Sequence, residues 1–234
     1  MKTMIVADFS TMRSALLQLV GISLIIALFM GVIADTVVGP VAVIISMMPF
    51  MFLFSLAAVD EQNGWERFRL TMPITRRQVV FGRYASIALL TVATALFGLL
   101  LAAVIIGVAT ALPAGTAPAG LTAEANPPAM IVGAAVGTVV VIAVGSSVAL
   151  PLITRFGMTR GARIVPLVVV MAMVTAIGII GDGASIDSAL AGLAQWLDTG
   201  NNYLVAVGAT LAVVAVLYIA SALLSAKLYE GREF

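Results

Sequence analysis

Cysteine and histidine are both absent from this chain of 234 residues. That absence removes thiol nucleophiles, disulfides, imidazole bases and most transition-metal sites together. Lysine occurs only at Lys2 and Lys227, and neither follows a glycine-rich loop, so no P-loop phosphate cradle for ATP exists in the chain. Charge is scarce altogether: 10% of residues are Asp, Glu, Lys or Arg, the net charge is +1, and basic residues never run beyond adjacent pairs. A nucleic-acid partner is excluded on that ground.

What the sequence does have is apolar surface. Hydrophobic residues make up 62% of the chain, and the mean hydropathy is +1.17. No ordinary water-soluble domain hides that much from solvent. Long apolar runs occupy 14–34, 37–59, 84–112, 129–153, 165–181 and 203–226, each long enough or nearly so to cross a hydrocarbon core of about 30 Å. The run at 165–181 sits at the lower length limit, whereas a helix over 84–112 overshoots the bilayer and must tilt or project. The first run exceeds a signal-peptide core and lacks a small-x-small cleavage pattern after it, so it is expected to stay as an anchor.

Basic residues give the orientation. Lys2 and Arg13 precede the first run; Arg67, Arg69, Arg76, Arg77 and Arg83 lie between the second and third; Arg155, Arg160 and Arg163 lie between the fourth and fifth; Lys227 and Arg232 follow the sixth. The alternate connections carry Asp35, Glu124, Asp182, Asp187 and Asp198 and no basic residue. By the positive-inside rule, both termini face the cytoplasm. The expected fold is therefore all-α: a single polytopic transmembrane domain over 1–234, a bundle of about six spans with cytoplasmic termini.

The connections differ in character. Residues 113–128 are rich in Pro, Gly and Ala and read as an irregular loop, with Asn126 as a cap and Pro127 in the first turn of the fourth span. In 185–198, Ile186, Leu190, Leu193 and Leu197 recur at helical spacing with Trp196 beside them, which predicts a short helix lying on the outer membrane surface. Gly133 and Gly137 form a GxxxG pair continued by Gly145, Ser146 and Ser147, a small surface expected to serve helix packing within one subunit.

No apolar run contains Asp, Glu, Lys or Arg, so the ionisable groups that bind coupling ions in gradient-driven transporters are missing. A membrane enzyme is disfavoured too. Asp182-Gly183-Ala184 resembles the start of a phosphatidyltransferase motif but lacks the Arg and paired Asp that should follow.

The informative stretch is Asp60 to Tyr84. Asp60 and Glu61 are expected to open a helix, where carboxylates favour its positive end, and Pro73 to stop it. Trp65, Phe68 and Met72 fall on one face, with Glu66, Arg67 and Arg69 away from it, the pattern of a short amphipathic helix. Thr75 followed by Gln78 fits a capping box, so a new helix should start near Arg76 and run into the third span. By spacing alone, these arginines serve equally as topology determinants with aromatics resting on the lipid interface.

The run Met48-Pro49-Phe50, the pair Asp60-Glu61, then Gly64-Trp65-Glu66, Pro73-x-x-Arg76, Val79-Val80 and Arg83-Tyr84 resembles the signature of permease subunits of type-2 ABC exporters. The ending Tyr229-Glu230-Gly231-Arg232-Glu233-Phe234 is similar to that family's ending as well. One departure is conservative: Met72-Pro73-Ile74-Thr75-Arg76 stands for the family's common Leu-Pro-Val-Ser-Arg.

The resemblance implies a half-transporter with an N-terminal amphipathic helix at 1–13, a coupling segment over 60–83, and an outer helical element between the last two spans. It further implies a second permease subunit, as homodimer or heterodimer, and separate ATP-binding-cassette ATPase subunits that hold ATP and Mg. The permease itself then has no cofactor and no catalytic residue. ATPase coupling is expected at Asp60, Glu61, Trp65, Glu66, Arg67, Phe68, Arg69, Pro73, Arg76 and Arg77. Arg76 and Arg77 are open to two partners, ATPase carboxylates or anionic lipid. The expected cargo is amphipathic or hydrophobic, and the expected location is a bacterial plasma membrane. The alternative function is an ATP-independent transporter or membrane assembly factor.

Overall fold

The computed structural model describes residues 2–64, 75–113, 118–157 and 202–231. Among them the regular elements are five long helices, α1 (Lys2–Ala34), α2 (Val38–Gln62), α3 (Arg76–Ala111), α4 (Pro128–Phe156) and α5 (Asn202–Glu230), and a 3₁₀ turn at Ala119–Leu121. No strand occurs among the described residues. All five helices are long and apolar enough to cross a membrane. The expected span at 165–181 and the outer helix at 185–198 lie outside the described residues.

α2 is the centre. Half of its most apolar window is buried, against 17% for α1 and 11% for α5, so those two helices form the periphery. α2 packs on α1, α3 and α4, while α3 also reaches α5. Close approach to α2 requires glycine on two neighbours: a Cβ at Gly98 of α3 would sit 3.0 Å from the Ile45 side chain, and one at Gly145 of α4 would sit 3.0 Å from the Phe50 ring.

Apolar side chains gain little by leaving lipid for a helix interface, so polar contacts carry unusual weight here. Two in-helix prolines show how they are used. Pro49 in α2 and Pro151 in α4 each deprive the carbonyl four residues earlier of its amide partner. A hydroxyl from a neighbouring helix faces it each time: Ser221 Oγ donates to the Ser147 carbonyl at 2.6 Å, and Thr94 Oγ1 lies 3.4 Å from the Ile45 carbonyl while its nearer acceptor is the Thr91 carbonyl at 3.0 Å. Because the Ser221 proton is thus committed, Ser221 accepts from the Tyr84 hydroxyl at 2.7 Å, and Ser225 in turn donates to Tyr84 at 2.7 Å. Tyr218 closes the seam by donating to the Tyr84 carbonyl at 2.9 Å, its ring meeting that of Tyr84 edge-on.

Several expected boundaries change. Residues 2–34 form one uninterrupted helix of 33 residues, about 50 Å long, so the N-terminal amphipathic segment and the first span are continuous. Its buried stripe is Met4, Asp8 and Met12 at i, i+4 and i+8, which places Asp8 on the packed face rather than with the polar residues Lys2 and Arg13. Asp60 and Glu61 do not open a helix. α2 carries through them to Gln62, and the chain turns off at Asn63 and Gly64, whose φ of +63° suits glycine. The α4 cap also shifts: Pro127 occupies the cap position and Pro128 the first helical position. The buried Asn126 amide donates instead to the carbonyls of Gly120 at 2.7 Å and Thr122 at 3.0 Å, closing the loop on itself.

The expected start of α3 holds in full. Thr75 Oγ1 accepts from the Gln78 amide, Gln78 Oε1 accepts from the Thr75 amide, and the helix runs unbroken from Arg76 to Ala111. Gly133 lies against Tyr203 of α5, so it takes part in packing within the chain.

Candidate functional site

The ends of α2 and α3 bracket residues 65–74, and the charged side chains gather there. Asp60 and Glu61 stand in the last turn of α2, where the helix dipole disfavours carboxylates. A cation is needed, and Arg83, two turns into α3, supplies it. Arg83 Nη2 lies 2.6 Å from Asp60 Oδ2, and Nε lies 3.4 Å from Asp8 Oδ2. The three side chains are 11%, 13% and 1% exposed respectively, so one guanidinium joins α1, α2 and α3 almost out of contact with solvent. Ser86, on the same face of α3, adds a 3.0 Å hydrogen bond to Asp8 Oδ2. Pairing of this kind is costly to break, because removing one partner strands a buried charge.

The start of α3 is tied to the end of α5 in a second way. Arg76 Nη1 donates to the carbonyls of Glu230 at 2.9 Å and Tyr229 at 3.4 Å, which are among the last of α5 and have no partner within the helix. Arg77 Nε meets Glu230 Oε1 at 2.6 Å on the surface. The hydrogen bond from Arg77, and then its charge and that of Arg76, hold the Glu230 carboxyl below the usual carboxylate range. Both arginines therefore have partners inside the chain, a third possibility beside the ATPase and lipid. A cavity of about 60 Å³ lies between these ties, lined in part by Asp60, Glu61, Arg83, Thr154 and Tyr229.

Of the residues expected to couple to an ATPase, Asp60 and Glu61 close α2 while Arg76 and Arg77 open α3. Trp65, Glu66, Arg67, Phe68, Arg69 and Pro73 lie outside the described residues. Sequence reasoning passed over Asp8, Arg83 and Ser86 as a unit. The signal for Asp8 was available: it is the one acid on the stripe that carries Met4 and Met12. Arg83 stood in the family-like run as Arg83-Tyr84, but its pairing was hidden because it depends on Asp8, 75 positions away. Among the described residues no group of three or more Asp, Glu, His or Cys is placed to hold a metal ion.

The comparisons with known proteins agree with this architecture. The family model described as "ABC-2 family transporter protein" matches residues 3–230. No curated protein and no solved structure matches the chain. With nearly its whole length matched, and with multiple apolar helices of membrane-crossing length, the chain belongs to the ABC-2 transporter family of multi-pass membrane permeases, which work with ATPase subunits and are generally not themselves enzymes.

Proposed function

We propose that this chain is the permease subunit of an ATP-driven exporter, forming the path for amphipathic or hydrophobic cargo such as a peptide, drug or lipid. A second permease subunit, identical or related, and two ATPase subunits complete the transporter, and the ATPase subunits hold ATP and Mg. The working topology is six spans with both termini cytoplasmic in a bacterial plasma membrane, supported by the segregation of all 12 basic residues to one set of connections.

The observation that carries the coupling assignment is the tethering around residues 65–74. The helix entering this segment is tied at Asp60 to α3 and, through Arg83, to α1; the helix leaving it is tied at Arg76 and Arg77 to α5. A push delivered to Asp60 and to Arg76 and Arg77 therefore reaches four helices through these ties. Burying Trp65 and Phe68 against the ATPase supplies the contact, and truncating such an aromatic commonly costs about 2 kcal/mol or more.

The test compares copurification of the ATPase, ATP hydrolysis and export for Trp65→Ala and Pro73→Ala, with Arg155→Ala as control. Trp65→Ala should lose assembly, and Pro73→Ala should keep part of it while uncoupling hydrolysis from export. Wild-type behaviour of both with failure of the control would place coupling in the connection after α4. Orientation is checked by single cysteines, which the cysteine-free chain accepts on a clean background. Labels at 115–125 should react from outside and labels at 155–163 only from inside.

A further inference from the structure

Where α3 begins and α5 ends, the side of the bundle carries an open groove of about 480 Å³ lined by Arg77, Phe81, Leu223, Leu224, Ala226 and Lys227. Its walls are apolar and its rim holds two cations. Lys227 is exposed and makes no ion pair among the described residues. Arg77 shares its charge with Glu230. Among the described residues, the two cations of the groove stand against one carboxylate at the end of two membrane-crossing helices.

We propose that this groove binds an anionic phospholipid, its phosphate between Arg77 and Lys227 and its acyl chains on Phe81, Leu223 and Leu224. The charge arrangement selects an anion, and the apolar wall directly beneath selects one that carries hydrocarbon. Position along α3 agrees. Arg77, Phe81, Ala88 and Val92 recur at i, i+4, i+11 and i+15, which is one helix face. Ala88 and Val92 line a second, apolar cavity of about 220 Å³ between α3, α4 and α5. From Arg77 to Val92 the helix rises by about 22 Å, comparable to one extended acyl chain. The lipid would thus follow α3 from the charged corner toward the bilayer centre. The inference needs only the membrane setting and not the ATPase reading, so either can fail alone.

The purified full-length chain, in neutral detergent, is melted with added phosphatidylglycerol, phosphatidylcholine or soluble glycerol phosphate. Phosphatidylglycerol should stabilise wild type, and the other two should not. Lys227→Gln should keep the unliganded melting temperature and weaken the apparent phosphatidylglycerol affinity about fivefold, the share of one basic residue near a membrane surface. Arg155→Gln, at the same end of the bundle, should leave that affinity unchanged. Equal stabilisation by phosphatidylcholine would overturn the proposal, since the cations would then select nothing. Equal stabilisation by glycerol phosphate would assign the site to a free anion. An unchanged affinity in Lys227→Gln, an equal loss in Arg155→Gln, or no response in wild type, as expected if protein fills the groove, would each overturn it as well.

Discussion

The two ends of the bundle are joined by different chemistry. Where α1 begins and α2 ends, the ties are ionic: Asp8 and Asp60 share Arg83, and Arg77 pairs with Glu230. Where α1 gives way to α2 and α3 ends, the ties run from side chain to backbone, with Asp35 accepting the Gly120 amide at 3.1 Å, Asn126 holding the same loop, and Tyr203 donating to the Ala129 carbonyl at 2.7 Å. The ionic end also packs the larger core, including Met4, Phe52, Leu56, Tyr84 and Leu150. The opposite core is smaller, built on Val37, Val41, Ile45, Ala102, Ala135 and Ile142. Among the described residues, bulk and buried charge thus concentrate at the end that flanks residues 65–74.

The largest way to break this comparison is at its shared cation. Arg83→Met leaves Asp8 and Asp60 buried without their counter-charge and should cost about 3–5 kcal/mol, read as a lowered unfolding midpoint in detergent. Adding Asp8→Asn and Asp60→Asn to Arg83→Met should recover much of that loss, because no stranded charge then remains. Failure of the triple variant to recover would mean that the ion pairs contribute packing and not electrostatics.

At the opposite end the equivalent stress is steric. A Cβ at Gly120 would fall on the Asp35 backbone carbonyl, so Gly120→Ala must displace the loop. The expected cost is about 1–3 kcal/mol. Cysteine labelling near 120 should rise, while labelling beside Arg83 stays unchanged if the two ends are held independently.

Between the ends, the hydroxyls that face proline-freed carbonyls sharpen the picture. Ser221→Ala should cost about 0.6 kcal/mol, the average for hydrogen bonds between membrane helices, and at most about 1.7 kcal/mol, and Thr94→Val less because its interhelical contact is longer and its nearer acceptor lies in its own helix. Equal effects would show that the length of the interhelical bond does not set its contribution.

The smallest effect belongs to the exposed pair. Glu230 lies beyond the apolar run 203–226, and its carboxyl is held below the ordinary range by Arg77. A depressed carboxyl contributes stability at neutral pH that is lost as pH falls through its lowered pKa. Solvent screening keeps that contribution slight. Melting of wild type and Glu230→Gln should therefore differ a little at neutral pH and converge in acid.

Much of this was legible in advance, for physical reasons. Membrane-crossing helices declare themselves because lipid forbids unsatisfied backbone, so length and apolarity suffice. The α3 start was equally legible, since Thr75 and Gln78 satisfy one another locally. The end of α2 was misread because Asp60 and Glu61 suit a helix start by dipole alone, and the distant Arg83 supplies the cation that Asp60 meets at a helix end. The links from Arg76 and Arg77 to Glu230 were equally hidden, spanning more than 150 residues. Asn126 was misplaced by one position because its side chain found loop carbonyls rather than a helix amide to bond.

The central claim is that residues between Asp60 and Arg77 meet the ATPase. The most direct measurement places a photo-crosslinking amino acid at Trp65 or Phe68, and at Arg155 as control, in the permease expressed with its partner ATPase. Irradiation should join positions 65 and 68 to the ATPase and leave 155 unjoined. Crosslinks from 155 alone, or crosslinks from 65 and 68 only to lipid, would contradict it.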